Sequence, residues 1–247
     1  MKTVSHTLPS VKQLATVLRA EAQEQYDAMK HSKRLTPKGA NEKMRKLLEH
    51  TAAIHVQPIV TDVLEDYRWR YTSICADSQV DFRGVSAFRH PNYIYELFEP
   101  GDVIWTGEVW EAAEHNFRTR EACMSCKDAP PPLTCPSTYK PGHHSRAQEH
   151  ILNKRFLVVE SDTLEKDTVG AIYKWLRDEN RLNLRAIVDT AGKSLHAWFD
   201  YPHNTVADLK LVLPALGCDK RMFVPCHPCR MPGVGRNGAF QRLIYQG

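Results

Sequence analysis

Apolar residues recur at helical spacing through VKQLATVLRAEAQEQYDAM (residues 11–29) and again through NEKMRKLLEHTAAIHV (residues 41–56), predicting two or three helices between Ser10 and Tyr71. The segment HSKRLTPKGAN between them carries Pro and Gly and reads as the connecting loop. From Phe82 to Trp110 the pattern changes to aromatic and β-branched runs, YIYELF and VIWTGEVW, separated by the turn signal EPGD, and strands are expected there. A helical extension over residues 1–75 and a second unit over 76–247 follow from this change. Residues 118–147 hold Pro, Cys, Ser and Lys with no sustained period, including APPPL, and read as a long loop or insertion.

Beyond that loop the pattern becomes regular. RFLVVESD predicts a buried strand, TVGAIYKWLRDEN an amphipathic helix, LRAIVDTAG and KSLHAWFDY two antiparallel strands, NTVADLKLVLPALG a helix and FQRLIYQ a closing strand. The element order β-α-β-β-α-β predicts an α+β fold built on a split, ferredoxin-like sheet. No repeat of fixed period is present in the sequence.

Composition narrows the class without naming it. The chain has 247 residues, room for one full-sized domain or a catalytic domain with a modest extension. Its 42% apolar and 25% charged residues match an ordinary globular protein and argue against wholesale disorder. A net charge of +4 permits attraction to phosphates without requiring it. No run of about 18 apolar residues occurs and the N-terminus lacks a secretory apolar segment, so a cytosolic protein with no membrane partner is expected. Seven cysteines, an odd number, point to free thiols or metal ligands rather than a disulfide framework.

Three short constellations carry candidate chemistry. Glu160 and Asp162 sit two apart at the end of an apolar run, so a strand's period of two would project both from one face. Adjacent carboxylates repel one another unless a cation neutralises them, and hard oxygen donors suit Mg²⁺ or Mn²⁺. Taken alone, such a pair is ordinarily a solvated strand edge. In DTAGKSLHAWF a turn delivers Lys193, Ser194 and His196 together, a cation, a hydroxyl and an imidazole fitted to grip phosphate. The GKS triplet is not a P-loop, because the glycine required five residues before Gly192 is Ile187. In GCDKRMFVPCHPCRMPGVGR, Asp219 follows a predicted helix and Arg230 precedes a Met-Pro-Gly turn. Singly, each of these residues is more often a turn, a surface charge or a satisfied core histidine.

In this order the three groups resemble the motifs of the archaeo-eukaryotic primase (AEP) superfamily: an hhhExD strand end, an SxH strand and a lone Asp. The likeness is closest to the primase-polymerase branch of mobile elements and phages, where an Arg-containing turn, here RMPG, follows the third motif. It spans Tyr139 to Gln246, with weaker similarity over Phe82 to Trp110. The resemblance implies a primase-type core, with an RRM-like or ferredoxin-like sheet joined to an N-terminal α/β subdomain. It also implies template-directed nucleotidyl transfer on single-stranded DNA and a primer, from nucleoside triphosphates, with any unwinding supplied by a separate helicase.

Carried over residue by residue, Glu160, Asp162 and Asp219 become the carboxylates for Mg²⁺ or Mn²⁺. Ser194 and His196 become contacts to the triphosphate, and Lys193, Arg230 and Arg146 further phosphate contacts. The first motif reads Glu-x-Asp where many members have Asp-x-Asp or Asp-x-Glu, and Thr190-Ala191 stand where a Ser-Gly pair is common. Competing readings are a DNA-binding replication factor that keeps the fold without catalysis, and a metal-dependent nuclease or end-joining polymerase.

The cysteines form two CxxC pairs, Cys123/Cys126 and Cys226/Cys229. Their separation is too long for one compact finger. The first pair with Cys135 and His143 or His144 offers four ligands for zinc, and a zinc-binding insert is common among these primases. Ordinary reduced thiols are the other reading.

Overall fold

The computed structural model describes residues 9–30, 37–86, 89–108, 113–126, 130–236 and 238–247. Part of the connecting loop expected after the first helix (31–36) and the end of the VIWTGEVW segment (109–110) lie outside these residues. The helices are α1 (Val11–Lys30), α2 (Pro37–Asp66), α3 (Tyr71–Ala76), α4 (His90–Tyr95), α5 (Arg120–Met124), α6 (Lys166–Asp178) and α7 (Val206–Ala215). The strands are β1 (Val103–Gly107), β2 (Phe117–Thr119), β3 (Leu133–Tyr139), β4 (Ile151–Lys154), β5 (Phe156–Val159), β6 (Leu184–Asp189), β7 (Leu195–Asp200), β8 (Cys229–Arg230), β9 (Gly235–Arg236), β10 (Ala239–Phe240) and β11 (Arg242–Gln246).

The α+β class is as the pattern predicts, with the element order β5-α6-β6-β7-α7-β11. The strand order β11-β6-β7-β5 is antiparallel throughout, with β7 inserted between β5 and β6. Here the expectation needs correcting. A ferredoxin-like sheet puts its closing strand beside the first, whereas β11 pairs the outer edge of β6. Element order is written in the sequence; which edge a returning strand takes is settled by the partners already in place.

Alternation divides the sheet cleanly. Leu157 and Val159 of β5 face α6 and α7, joined by Leu195, Ala197 and Phe199 of β7. Phe156 and Val158 face the other way with Trp198 and Val188, against Ile94, Phe98, Ile104 and Met231 of a second sheet unit. That second sheet has the order β2-β1-β3-β4, with β8 paired to β3.

The N-terminal helices add a third layer. Val11, Leu14, Ala15 and Leu18 of α1 recur at helical spacing and are buried in the same core as Ile172 and Leu209. Ser10 and Gln13 cap α1 reciprocally: the Ser10 N–H donates to Gln13 Oε1 (2.7 Å) and the Gln13 N–H to Ser10 Oγ (3.3 Å). Helix α6, sandwiched between sheet and helices, is buried on most of its circumference. Its Gly170 lies under the chain entering α3, where an added Cβ would stand 2.5 Å from the Trp69 carbonyl oxygen. Gly170→Ala is therefore expected to destabilise the fold by about 1–3 kcal/mol, read as a lowered urea midpoint at unchanged slope.

Two segments differ from the sequence pattern. YIYELF, expected as a strand, instead begins in the last half of α4, which Pro91 starts at its first turn and whose Ile94 and Tyr95 face the core, with Phe98 in the turn beyond. The irregular stretch at 118–147 contains β2, α5 and the fully buried β3, although residues 127–129 lie outside the description. Pro136 hid β3. It falls where the β1–β3 register slips between Ile104 and Thr106, the kind of irregularity where a sheet tolerates a residue without an N–H. No helix among the described residues is long and apolar enough to cross a membrane.

Candidate active site

Strand β5 ends at Val159, which is opposite Ala197 of β7, so Glu160 comes beside His196 on the face shared with Val158 and Trp198. Both are buried, Glu160 at 9% exposure and His196 at 5%. His196 Nε2 lies 2.5 Å from Glu160 Oε2. The ring's other nitrogen, Nδ1, accepts from the Arg230 backbone N–H at 3.3 Å. With Nδ1 accepting, the ring proton belongs on Nε2, which donates to the carboxylate. A residue of β8, on the second sheet, thereby orients a histidine of the first.

The third motif reaches the same place. The Asp219 N–H donates to the Glu160 carbonyl at 2.9 Å, fixing the two carboxylate-bearing loops to each other. Ser161, fully buried, strengthens the junction by donating from Oγ to the Gly217 carbonyl at 2.7 Å. Asp219 caps a short 3₁₀ turn, Lys220–Phe223, and accepts from the Arg221 N–H (2.8 Å) and guanidinium (2.7 Å).

Asp162 departs from the expectation. The strand has already ended, so the period of two lapses, and its side chain stands 67% exposed rather than beside Glu160. Arg221 links it to the site, 3.8 Å from Asp162 and 2.7 Å from Asp219. Among the described residues no three His, Cys, Asp or Glu side chains converge closely enough to hold a metal ion. The donor chemistry nevertheless suits a hard cation, because a cation already bridges two of the three carboxylates, in the form of a guanidinium.

Sequence reasoning missed Arg221 and His227. His227 Nε2 approaches Glu160 Oε1 to 3.8 Å, placed by a turn in which its N–H donates to the Val224 carbonyl at 2.8 Å. The signal available was an imidazole inside the third-motif segment, but only folding shows that it reaches Glu160. Burial pushes the Glu160 carboxyl pKa up, but attraction to the His196 imidazole and its hydrogen bond, helped by His227, outweigh it and hold the pKa below its ordinary value. Asp219 is held low in the same way: burial opposes, and the Arg221 hydrogen bonds and charge prevail. For His227 burial dominates and depresses the imidazole.

The remaining candidates lie at graded distances from this centre. Arg230 is half-buried; burial and Arg236 weigh against its charge, while Glu160, Asp162 and Glu108 favour it. Ser194 is buried on the His196 side of β7, and Lys193 is exposed at the hairpin tip. The hairpin is closed by Thr190, whose Oγ1 donates to the Ser194 carbonyl at 2.8 Å, and its turn holds Ala191 at φ 57°, a left-handed conformation that glycine adopts at less cost. Arg146 lies elsewhere, 4.2 Å above the Trp105 ring, against the separate core of Trp105, Cys135 and Tyr139.

The zinc set is not assembled. Cys123 faces the inter-sheet core from α5, and Cys126 is exposed near Arg118. Cys135 lies on the opposite face of the second sheet with its thiol 3.3 Å from the Cys226 carbonyl, and His143 stacks on His150 at 4.4 Å. His144 faces Glu114 instead. Alternation along β3 turns Cys135 away from the first pair, and burial pushes the Cys123 and Cys135 thiols up to about 12.

No protein-family model, no curated protein and no solved structure matches the chain.

Proposed function

We propose that this protein is a primase or primase-polymerase, a nucleotidyltransferase that makes or extends primers on single-stranded DNA. The observation that carries the reading is the meeting of three motifs distant in sequence: Glu160 bonded through its side chain to His196 and through its carbonyl to Asp219. The two acidic motifs and the histidine motif occupy one end of one sheet, with arginines beside them.

In this reading Glu160, Asp162 and Asp219 would hold Mg²⁺ or Mn²⁺, which supplies the charge neutralisation and hydroxyl activation of phosphoryl transfer. The chain's own groups do the rest. Arg230, with Arg236 near it, offers positive charge for the triphosphate, and Lys193 extends that charge to the hairpin tip. His196, its proton fixed on Nε2 by the Arg230 N–H, is a pre-oriented donor toward a phosphate oxygen once Glu160 turns to a cation. No protein nucleophile is required, because such transfer depends on positioning and charge.

One observation favours the second reading, a DNA-binding replication factor without catalysis. Glu160 already accepts from His196 and Asp219 is already paired with the Arg221 guanidinium, a state that satisfies them without metal. Incorporation of labelled nucleotides on single-stranded DNA, with and without primer, in Mg²⁺, in Mn²⁺ and in EDTA, separates the two. Metal-dependent product is expected, and the unprimed reactions distinguish priming from extension. Folded protein that binds DNA yet yields no product in either metal would replace the first reading with the second.

A further inference from the structure

A cleft of about 940 Å³ opens between α3, the 78–85 loop and the start of β11, lined among others by Tyr71, Phe82, Arg83, His90, Phe240 and Arg242. A smaller hollow of about 450 Å³ is lined by Arg68, Arg70, Asp167 and Thr168, just before α3 in the chain and at the start of α6. None of these residues belongs to the carboxylate site, yet the fold connects the two places.

The connection runs along one end of the first sheet. Strands β5 and β6 finish there and β7 and β11 begin there, so Glu160, Lys193 and Arg242 lie along a single edge. Three inter-strand spacings, roughly 15 Å, separate the ends of that edge, the reach of a few nucleotides of extended strand. The β9–β10 hairpin bridges the same interval. Arg236, opposite Ala239, lies near Arg230 of the site, while Phe240, opposite Gly235, lines the cleft and is 48% exposed.

The cleft's chemistry selects its occupant. Aromatic rings beside arginines suit unpaired bases and their phosphates, since any base offers a π-face to stack and any phosphate a charge. Phe82 is held by Tyr93, ring edge to face at 5.4 Å, and so presents a fixed surface. Among the described residues, Arg68, Arg70 and Arg242 have no carboxylate within ion-pair distance. Arg83 is bound to Asp81 at 2.8 Å, but with 91% of its side chain exposed, so a phosphate can compete for it.

We infer that this cleft binds single-stranded DNA, bases against Phe82 and Phe240 and phosphates on Arg83 and Arg242, and that it leads the template to the Glu160–His196 end of the sheet. The template role rests on the nucleotidyl-transfer reading; the binding of DNA in the cleft does not.

The test is fluorescence anisotropy of a labelled oligothymidylate on the full chain over a range of salt, with incorporation measured in parallel. The Arg83→Ala/Arg242→Ala double variant is expected to bind at least about tenfold more weakly. Its salt slope should fall by about 1.4, two phosphate contacts at roughly 0.7 each in a single strand. Phe240→Ala should cost at least about fivefold. All three side chains are exposed or at the cleft surface, and matching melting temperatures confirm intact folds. Wild-type affinity and salt slope in the double variant would overturn the inference, as would complete displacement of the oligonucleotide by a nucleoside triphosphate, which would make the cleft a mononucleotide site. Weakened binding in the variants, together with a wild-type chain that binds the oligonucleotide but makes no product, would uphold the cleft and remove only its template role.

Discussion

His196→Ala is expected to destabilise the protein by about 3–5 kcal/mol, the cost of leaving a buried carboxylate without its partner. Glu160 is 9% exposed and His196 Nε2 is its nearest partner, at 2.5 Å, with His227 more distant at 3.8 Å. The substitution also deprives the Arg230 N–H of its acceptor and leaves a void beside Trp198. Urea denaturation near neutral pH measures the loss. A second change, Glu160→Gln, made in the His196→Ala background, should restore part of it, because an amide is far cheaper to bury than a charge. A single variant within about 1 kcal/mol of wild type would mean that water or His227 satisfies Glu160, and the pair would lose its place as the keystone of the site. Nucleotide incorporation should be lost in both variants, in the double one with less of the stability defect to explain it.

Asp162→Ala separates chemistry from stability in the other direction. Asp162 is 67% exposed and, among the described residues, its only ion pair is a 3.8 Å contact with Arg221, so its removal should shift stability by no more than about 0.5 kcal/mol. If the proposed function holds, incorporation should nevertheless fall at least about a hundredfold, since losing one carboxylate from a divalent-metal site removes several kcal/mol of transition-state stabilisation. Arg221→Ala is the counterpart. The guanidinium sits between Asp162 and Asp219 and, in the proposed reading, would have to yield to a metal, so its removal should lower the Mg²⁺ concentration needed for half-maximal incorporation. Asp162→Ala within twofold of wild type would withdraw it from the metal site. A raised Mg²⁺ requirement in Arg221→Ala would mean that Arg221 serves the triphosphate instead.

The segments most legible in the sequence are those whose environment is local. Helix α1 declares itself by the Ser10–Gln13 cap and its buried spacing from Val11 to Leu18, and β5, β6 and β7 by apolar runs next to turn signals. Burial on both faces is why β5 reads as a continuous FLVV rather than an alternating strand. The opposite holds for β3, whose LTCPSTY is wholly buried yet carries a proline and a cysteine in place of β-formers. Its strand character comes from neighbours on both sides, which a reading of local preference does not see.

The same division runs through the site. The candidacy of Glu160, His196 and Asp219 was readable from residue type and order, because carboxylates at a strand end and a histidine on the next hairpin strand are chemically competent groups. That Glu160 spends its charge on His196, that Asp162 turns to solvent once β5 ends, and that Arg221 and His227 join them depended on contacts between segments dozens of residues apart. The cysteines show the reverse limit: spacing suggested a metal site, and the opposite faces of β3 and α5 keep its ligands apart. By itself the sequence determined the elements with a clear period, their order and the first candidate residues, since these follow from periodicity and side-chain type. Only the tertiary structure decided the edge taken by β11, the partners of each charge and the cleft beside it, because each is a competition among surfaces that exist only after the chain has closed on itself.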